Sequence, residues 1–193
     1  MKKSQSDMRQ HIIDVARSLM TQKGYTAVGL TELLATAGVP KGSFYHYFRS
    51  KEEFGQALLE EYFSEYLGRV DSLTHAQGTA AERLLGYLRY WAQTQAFEHA
   101  DQKCLVVKLG AEVCDLSEDM RSVLVTGTAQ IIQRITSMVE QGQADGSISA
   151  ASPPTVLAEG IYQLWLGASL LVKVTHSAQP FDVAMTNSQR LLN

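Results

Sequence analysis

The chain has 193 residues, 45% of them hydrophobic and 19% charged, ample for a hydrophobic core in one domain or two. Its formal net charge of −3 conceals an asymmetry: residues 1–51 hold eight Lys/Arg against three acids, and residues 52–193 hold nine against seventeen. Only the first part has the electrostatic footprint of a polyanion-binding surface. Two cysteines, with no CxxC and no His cluster nearby, exclude a disulfide scaffold and a zinc site.

No run of about eighteen apolar residues is read in the chain, and MKKSQSDMRQ leads into an amphipathic helix rather than a signal peptide. The expectation is therefore a cytoplasmic protein with no membrane partner and with both thiols reduced at rest.

In chain order, Ile12, Ala16, Leu19 and Met20 recur at helical spacing between Asp7 and Lys23, and Gly24 stands where a helix should stop. A second, short helix is predicted from Leu30 to Ala37, with Gly29 at the N-cap position, Glu32 three residues later, and Gly38 at its end. Gly38 and Pro40 then make the tight turn of a helix-turn-helix unit, whose second helix runs from Lys41 to Phe48.

That second helix, within VPKGSFYHYFRSK, is the informative stretch. Phe44 and Phe48 lie four residues apart and share a buried face, while Tyr45, His46 and Tyr47 project elsewhere, flanked by Lys41, Arg49 and Lys51. A small first turn of Lys41, Gly42 and Ser43 lets the backbone approach a partner closely. Hydroxyl-bearing rings and cations are groups that meet base edges and phosphates in a major groove. An ordinary amphipathic helix explains the phenylalanines but not the exposed rings. The candidate DNA-binding set is Lys41, Gly42, Ser43, Tyr45, His46, Tyr47 and Lys51, with Thr31 from the second helix.

Ser50 and Glu53 have capping-box spacing, so a fourth helix starts at Lys51 and runs to about Leu73. A fifth ends near Phe97. Further helices are expected over Cys104–Val113, Ser117–Gln141 and Thr155–His176, with a last short one opening at Pro180. No alternating pattern calls for a strand, so the fold class is all-α: a three-helix DNA-binding domain over residues 1–50 and a helical regulatory and dimerisation domain over 51–193.

GYTAVGLTELLATAGVPKGSFYHYFRSKEEF, residues 24–54, resembles the DNA-binding domain of the TetR family along its whole length. Gly29 departs from the Ser or Thr usual at the start of the second helix, so a phosphate contact from that hydroxyl has no counterpart here. Pro40 stands where Ser is common. The resemblance implies a homodimer on a roughly palindromic double-stranded operator. LAEGIYQLWLGASLLVKV and the final helix are candidates for the dimer interface, in competition with an ordinary core role. Gly160, Gly167 and Ala168 permit close helix approach in either case.

In KCLVVKLGAEVCDLSEDMRS, residues 103–122, Lys103 and Lys108 flank Cys104 and are expected to lower its thiol pKa, whereas Asp115 opposes ionisation of Cys114. Cys104 is thus expected to be the more reactive thiol, against the plainer reading of two inert core cysteines. With LWLGASLLVK, this stretch is similar to the NemR branch of the family, repressors that respond to reactive electrophiles and oxidants. Lys173 is the only charged side chain between Glu159 and Asp182 and is the candidate partner of Cys104 in redox sensing. The alternative is a repressor induced by a non-covalent ligand in the C-terminal domain. Tyr87, Tyr90, Trp91, Tyr162 and Trp165 could line its pocket but read more simply as core.

Catalysis is not expected. A nucleophilic Cys104 has only His99 near it in sequence, and no phosphate-binding glycine loop, dinucleotide fingerprint or HExxH motif appears. No cofactor or metal is expected either. A helical adaptor without sequence-selective DNA binding would leave the basic head unexplained.

Overall fold

A computed structural model describes residues 5–95 and 104–193, and every regular element among them is an α-helix. They are α1 (Gln5–Lys23), α2 (Leu30–Ala37), α3 (Lys41–Tyr47), α4 (Lys51–Thr74), α5 (Ala80–Gln95), α6 (Leu105–Leu116), α7 (Glu118–Asp145), α8 (Pro154–Thr175) and α9 (Gln179–Leu192). The expected end of the fifth helix at Phe97 lies outside the described residues, as do His99 and Lys103. The described residues pack as two compact units, one within Met1–Phe63 and Ala100–Val125, the other within Ser64–His99 and Thr126–Asn193. The first unit therefore groups α6 and the beginnings of α4 and α7 with α1, α2 and α3.

Local chemistry sets the helix ends in the first unit. α1 stops at Gly24, whose φ of 98° is open to glycine at little cost. Gly38 ends α2 in the left-handed region at φ 65°, with its N–H on Ala35 O at 3.2 Å and the Val39 N–H on Leu34 O at 3.0 Å. Pro40 at φ −63° starts α3. At α4, the Glu53 N–H donates to Ser50 Oγ at 3.1 Å, and the Glu53 carboxylate accepts from the Arg49 N–H at 2.9 Å. The core joins Ile12, Ile13, Ala16 and Met20 of α1 to Leu33 and Leu34 of α2, Phe44 and Phe48, and Phe54 and Leu58 of α4.

The second unit is built on aromatic residues. Trp91 of α5 stands edge-on to Tyr87 and Tyr162 and 6.0 Å from Trp165, which stacks on Phe181 of α9. Both indole N–H groups find hydroxyls, Trp91 on Ser169 at 3.0 Å and Trp165 on Ser188 at 2.9 Å. Tyr87, Trp91, Tyr162 and Trp165 are thus core, with Tyr90 partly exposed beside them. The Arg134 guanidinium forks onto Asp71 at 2.6 and 2.9 Å and holds that carboxyl below its ordinary range.

Three expectations change. α6 continues through Cys114–Leu116, because nothing there breaks a helix. The break comes at Ser117, which is extended and accepts the Met120 N–H at 3.3 Å as the cap of α7. α7 extends past Gln141 to Asp145, where Gly146 at φ 75° ends it. α8 is long and apolar enough, by length and composition, to cross a bilayer, against the expectation that no such stretch exists. Glu159 and Lys173 interrupt the apolar run, which hides it from a reading that counts consecutive residues. One face of α8 packs against α9 and α5. The opposite face leaves Val156, Leu170, Leu171 and Val174 exposed, as α9 leaves Val183 and Leu191.

Two glycines of α4 differ in their surroundings. A Cβ on Gly55 would stand 2.5 Å from Met120 Sδ and 2.8 Å from the Tyr25 ring, while one on Gly68 would meet nothing within 4 Å. Gly55→Ala should destabilise the fold by about 1–2 kcal/mol despite the better helix former, through overpacking. Gly68→Ala should stabilise it by about 0.5–1 kcal/mol. Denaturant midpoints of the two variants against wild type measure both signs.

Candidate nucleic-acid interface and thiol site

α3 has seven residues, too few to be stable alone, and is held by its inner face. Phe44 and Phe48 are buried, with ring centroids 5.2 Å apart, and both meet Phe54 of α4, at 5.5 and 4.9 Å. The guanidinium of Arg9 lies 5.3 Å from the Phe48 ring, closing the cluster from α1. His11 of α1 makes a 3.0 Å hydrogen bond to the Ala37 carbonyl at the end of α2, which ties the turn down.

The outer face is displayed. Lys41, Gly42, Tyr45 and His46 are exposed, Ser43 and Tyr47 partly so, and Thr31 is exposed in the first turn of α2. Tyr45 keeps half its surface open although it is a large ring. A Cβ on Gly42 would meet nothing within 4 Å, so packing within the chain does not require this glycine. The Lys41 ammonium is 6.0 Å from the Tyr45 ring centre.

Lys51 is placed differently from the other candidates. It is partly buried, its ammonium donates to the Tyr25 carbonyl at 3.1 Å and lies 4.7 Å over the Tyr25 ring, and the Tyr25 hydroxyl donates to the Lys51 carbonyl at 2.6 Å. Burial lowers the Lys51 pKa, against the pull of Glu112 and Glu52. Burial is also the main cause that raises the Tyr25 hydroxyl far above its ordinary value, with Glu52 and Glu112 adding to it.

The thiol site corrects the expected activation of Cys104. Cys104 is the N-cap residue of α6 and is buried, and burial raises its thiol pKa rather than lowering it. The Val107 N–H, the Tyr62 hydroxyl and the Val106 N–H favour the thiolate but do not outweigh desolvation. Lys108 does not supply the expected cation, because its ammonium donates to the Gln22 carbonyl at the end of α1, at 3.0 Å. Cys114 is partly exposed on the same helix, and neither thiol is in a disulfide. Lys173, in the last turn of α8, is exposed.

Residues 12–58 match the family described as "Bacterial regulatory proteins, tetR family", and residues 80–187 match "Tetracyclin repressor-like, C-terminal domain". The chain is 39% identical over 99% of its length, and 96% of the other's, to the HTH-type transcriptional repressor NemR of Escherichia coli strain K12. It is 38% identical over 89% of its length, and 78% of the other's, to the transcriptional regulator AcuR of Cereibacter sphaeroides. The crystal structure of reduced E. coli NemR superimposes with a TM-score of 0.92 over 97% of each chain at 39% identity.

The chain belongs to the TetR family. As a TetR-family protein it is a regulator rather than an enzyme.

One residue of this TetR-family chain escapes a reading of sequence alone, and a second, Lys108, has a partner other than the expected Cys104. Glu112 of α6 accepts from the Tyr25 N–H at 3.0 Å, from the Thr26 N–H at 2.6 Å and from the Thr26 hydroxyl, and Tyr25 joins that contact to Lys51. In sequence Lys108 and Glu112 stand at i,i+4 on an apolar helix. Both reach the end of α1 and the loop after it.

The raised thiol pKa has a measurable consequence. In the native protein near neutral pH, iodoacetamide should alkylate Cys114 before Cys104, and the Cys104 rate should still be climbing as pH passes the ordinary thiol value of 9.0. Time-resolved peptide mass spectrometry reads both sites. Faster labelling of Cys104 at neutral pH would show that it is activated after all.

Proposed function

We propose that the chain is a dimeric TetR-type transcriptional repressor that binds a two-fold operator through α3 and is released when Cys104 is modified by an oxidant or electrophile. The observation that carries the DNA half is the division of α3 and its C-cap into a buried Phe44/Phe48 side and an exposed Lys41, Gly42, Tyr45 and His46 side. In this reading Ser43, Tyr47, Thr31 and the basic start of α4 at Lys51 add contacts, the polar groups to phosphates and the α3 rings to base edges. Dimerisation uses the exposed apolar side chains Leu170, Leu171 and Val174 of α8 and Val183 and Leu191 of α9. Two recognition helices then fall about one DNA turn apart.

The switch half rests on Cys104 as the N-cap of α6, a helix that also carries Lys108 and Glu112, both bonded to the end of α1 and its loop. Hypochlorite oxidises the thiol to a sulfenic acid, leaving chloride. That acid condenses with an amine to form an S–N bond and release water, and Lys173 is the amine we assign. An activated alkene instead takes the thiolate at its electrophilic carbon, with the proton going to the adjacent carbon. The new group no longer fits the buried site at the start of α6. A shift of about 1–3 kcal/mol in the balance of two states is typical of such coupling.

The burial of Cys104 favours a second reading, in which a non-covalent ligand induces the same repressor. Operator binding by wild type and Cys104→Ser, before and after hypochlorite and after added reductant, separates the two. The covalent reading predicts that wild type lets go and recovers while the serine variant stays bound. Equal release of both would assign induction to a ligand site or to another residue.

A further inference from the structure

The clasp between α6 and the loop after α1 has a chemistry that plain packing does not need. Glu112 uses both carboxylate oxygens on that loop, Oε2 on the Tyr25 N–H and Oε1 on the Thr26 N–H and hydroxyl. Gly24 makes room for it, since a Cβ there would stand 3.2 Å from Glu112 Oε2. One turn earlier on the same face, Lys108 holds the Gln22 carbonyl. α6 thus supplies an anion to N–H groups and a cation to a carbonyl, at the point where α1 gives way to α2.

The clasp continues into the reading head. Tyr25 is bonded to Lys51 in both directions, and Lys51 is the first residue of α4, three positions beyond the end cap of α3. At its other end α6 begins at Cys104, eight residues and about 12 Å before Glu112 along a rigid rod. Burial raises the Glu112 carboxyl, but the Thr26 and Tyr25 bonds and Lys51 outweigh it, so the group is ionised near neutral pH.

We propose that Glu112 is the positioning residue through which α6 holds the DNA-reading head in its operator-binding form. The inference rests on the operator-binding reading above, though not on the chemistry of Cys104. Losing the carboxylate frees two backbone N–H groups and a hydroxyl, and the loop, Tyr25 and the start of α4 lose their fixed relation to α6. The competing role is electrostatic, with Glu112 merely offsetting the charge of Lys51. The two roles predict opposite signs, because removing an acid near a DNA-binding surface tightens binding, whereas removing a positioning group weakens it.

The test is fluorescence anisotropy of the full chain on a labelled fragment from upstream of its own gene, with a shuffled fragment as control, for wild type, Glu112→Ala and Thr26→Val. Thermal melting of each protein is recorded alongside. Glu112→Ala should bind the upstream fragment about tenfold to a hundredfold more weakly, with the salt dependence of wild type because no phosphate contact is removed. Thr26→Val, which loses one donor of three, should fall between. If Glu112→Ala fails to fold, Thr26→Val and Glu112→Gln decide the matter. Wild-type affinity or tighter binding in the folded variants overturns the inference. A wild type that does not prefer its upstream fragment overturns the operator reading, and the inference with it.

Discussion

The rest of the structure depends on how a seven-residue helix is kept in place. α3 cannot pay for its own order, since a helix this short is marginal in water, so its position is set by burial of Phe44 and Phe48 against Phe54. Each buried phenylalanine contributes about 1.5–3 kcal/mol, and the edge-to-face contact of Phe48 with Phe54 adds direction to that energy. With Phe44 and the C-cap residue Phe48 committed to that cluster, Lys41, Gly42, Tyr45 and His46 are left exposed. The exposed face proposed to meet DNA is what remains when the anchor is complete.

The anchor does not end with α1 to α4. α6 belongs to the same compact unit, and besides its buried apolar face of Leu105, Leu109 and Val113 it makes polar contacts to the end of α1 and the loop after it. Polar contacts of this kind are directional and fail abruptly when geometry shifts, which would suit the switching joint proposed above. Tyr25 and Met120 also both come close to Gly55 of α4, where a Cβ would not fit. Tyr25 is therefore held by a carboxylate of α6 and a lysine of α4, with its ring against Gly55.

The sequence made much of this legible, for identifiable reasons. Gly24, Gly38, Pro40 and the Ser50/Glu53 box are local signals whose physics needs no tertiary context, and the helices they bound start and stop where they say. The Phe44/Phe48 spacing likewise set which face of α3 is buried. Cys104 defeats the same approach, because neighbouring lysines in sequence predict a lowered pKa while burial, which spacing does not reveal, raises it. Lys108 misleads in the same way, its partner lying 86 residues away, and Glu112 carries no local signal for a partner 87 residues away. α8 shows the converse, an apolar helix masked by two charges that a count of consecutive residues weighs too heavily.

The central claim is that the exposed face of α3 reads a two-fold DNA site. Hydroxyl-radical footprinting of the chain on the DNA upstream of its gene tests it most directly, with Tyr45→Ala, which leaves the Phe44/Phe48 anchor untouched, run in parallel. The account predicts two equivalent protected patches about one helical turn apart, related by a two-fold axis and lost together in the variant. A single asymmetric patch, or a wild-type footprint from Tyr45→Ala and Lys41→Ala alike, would contradict it.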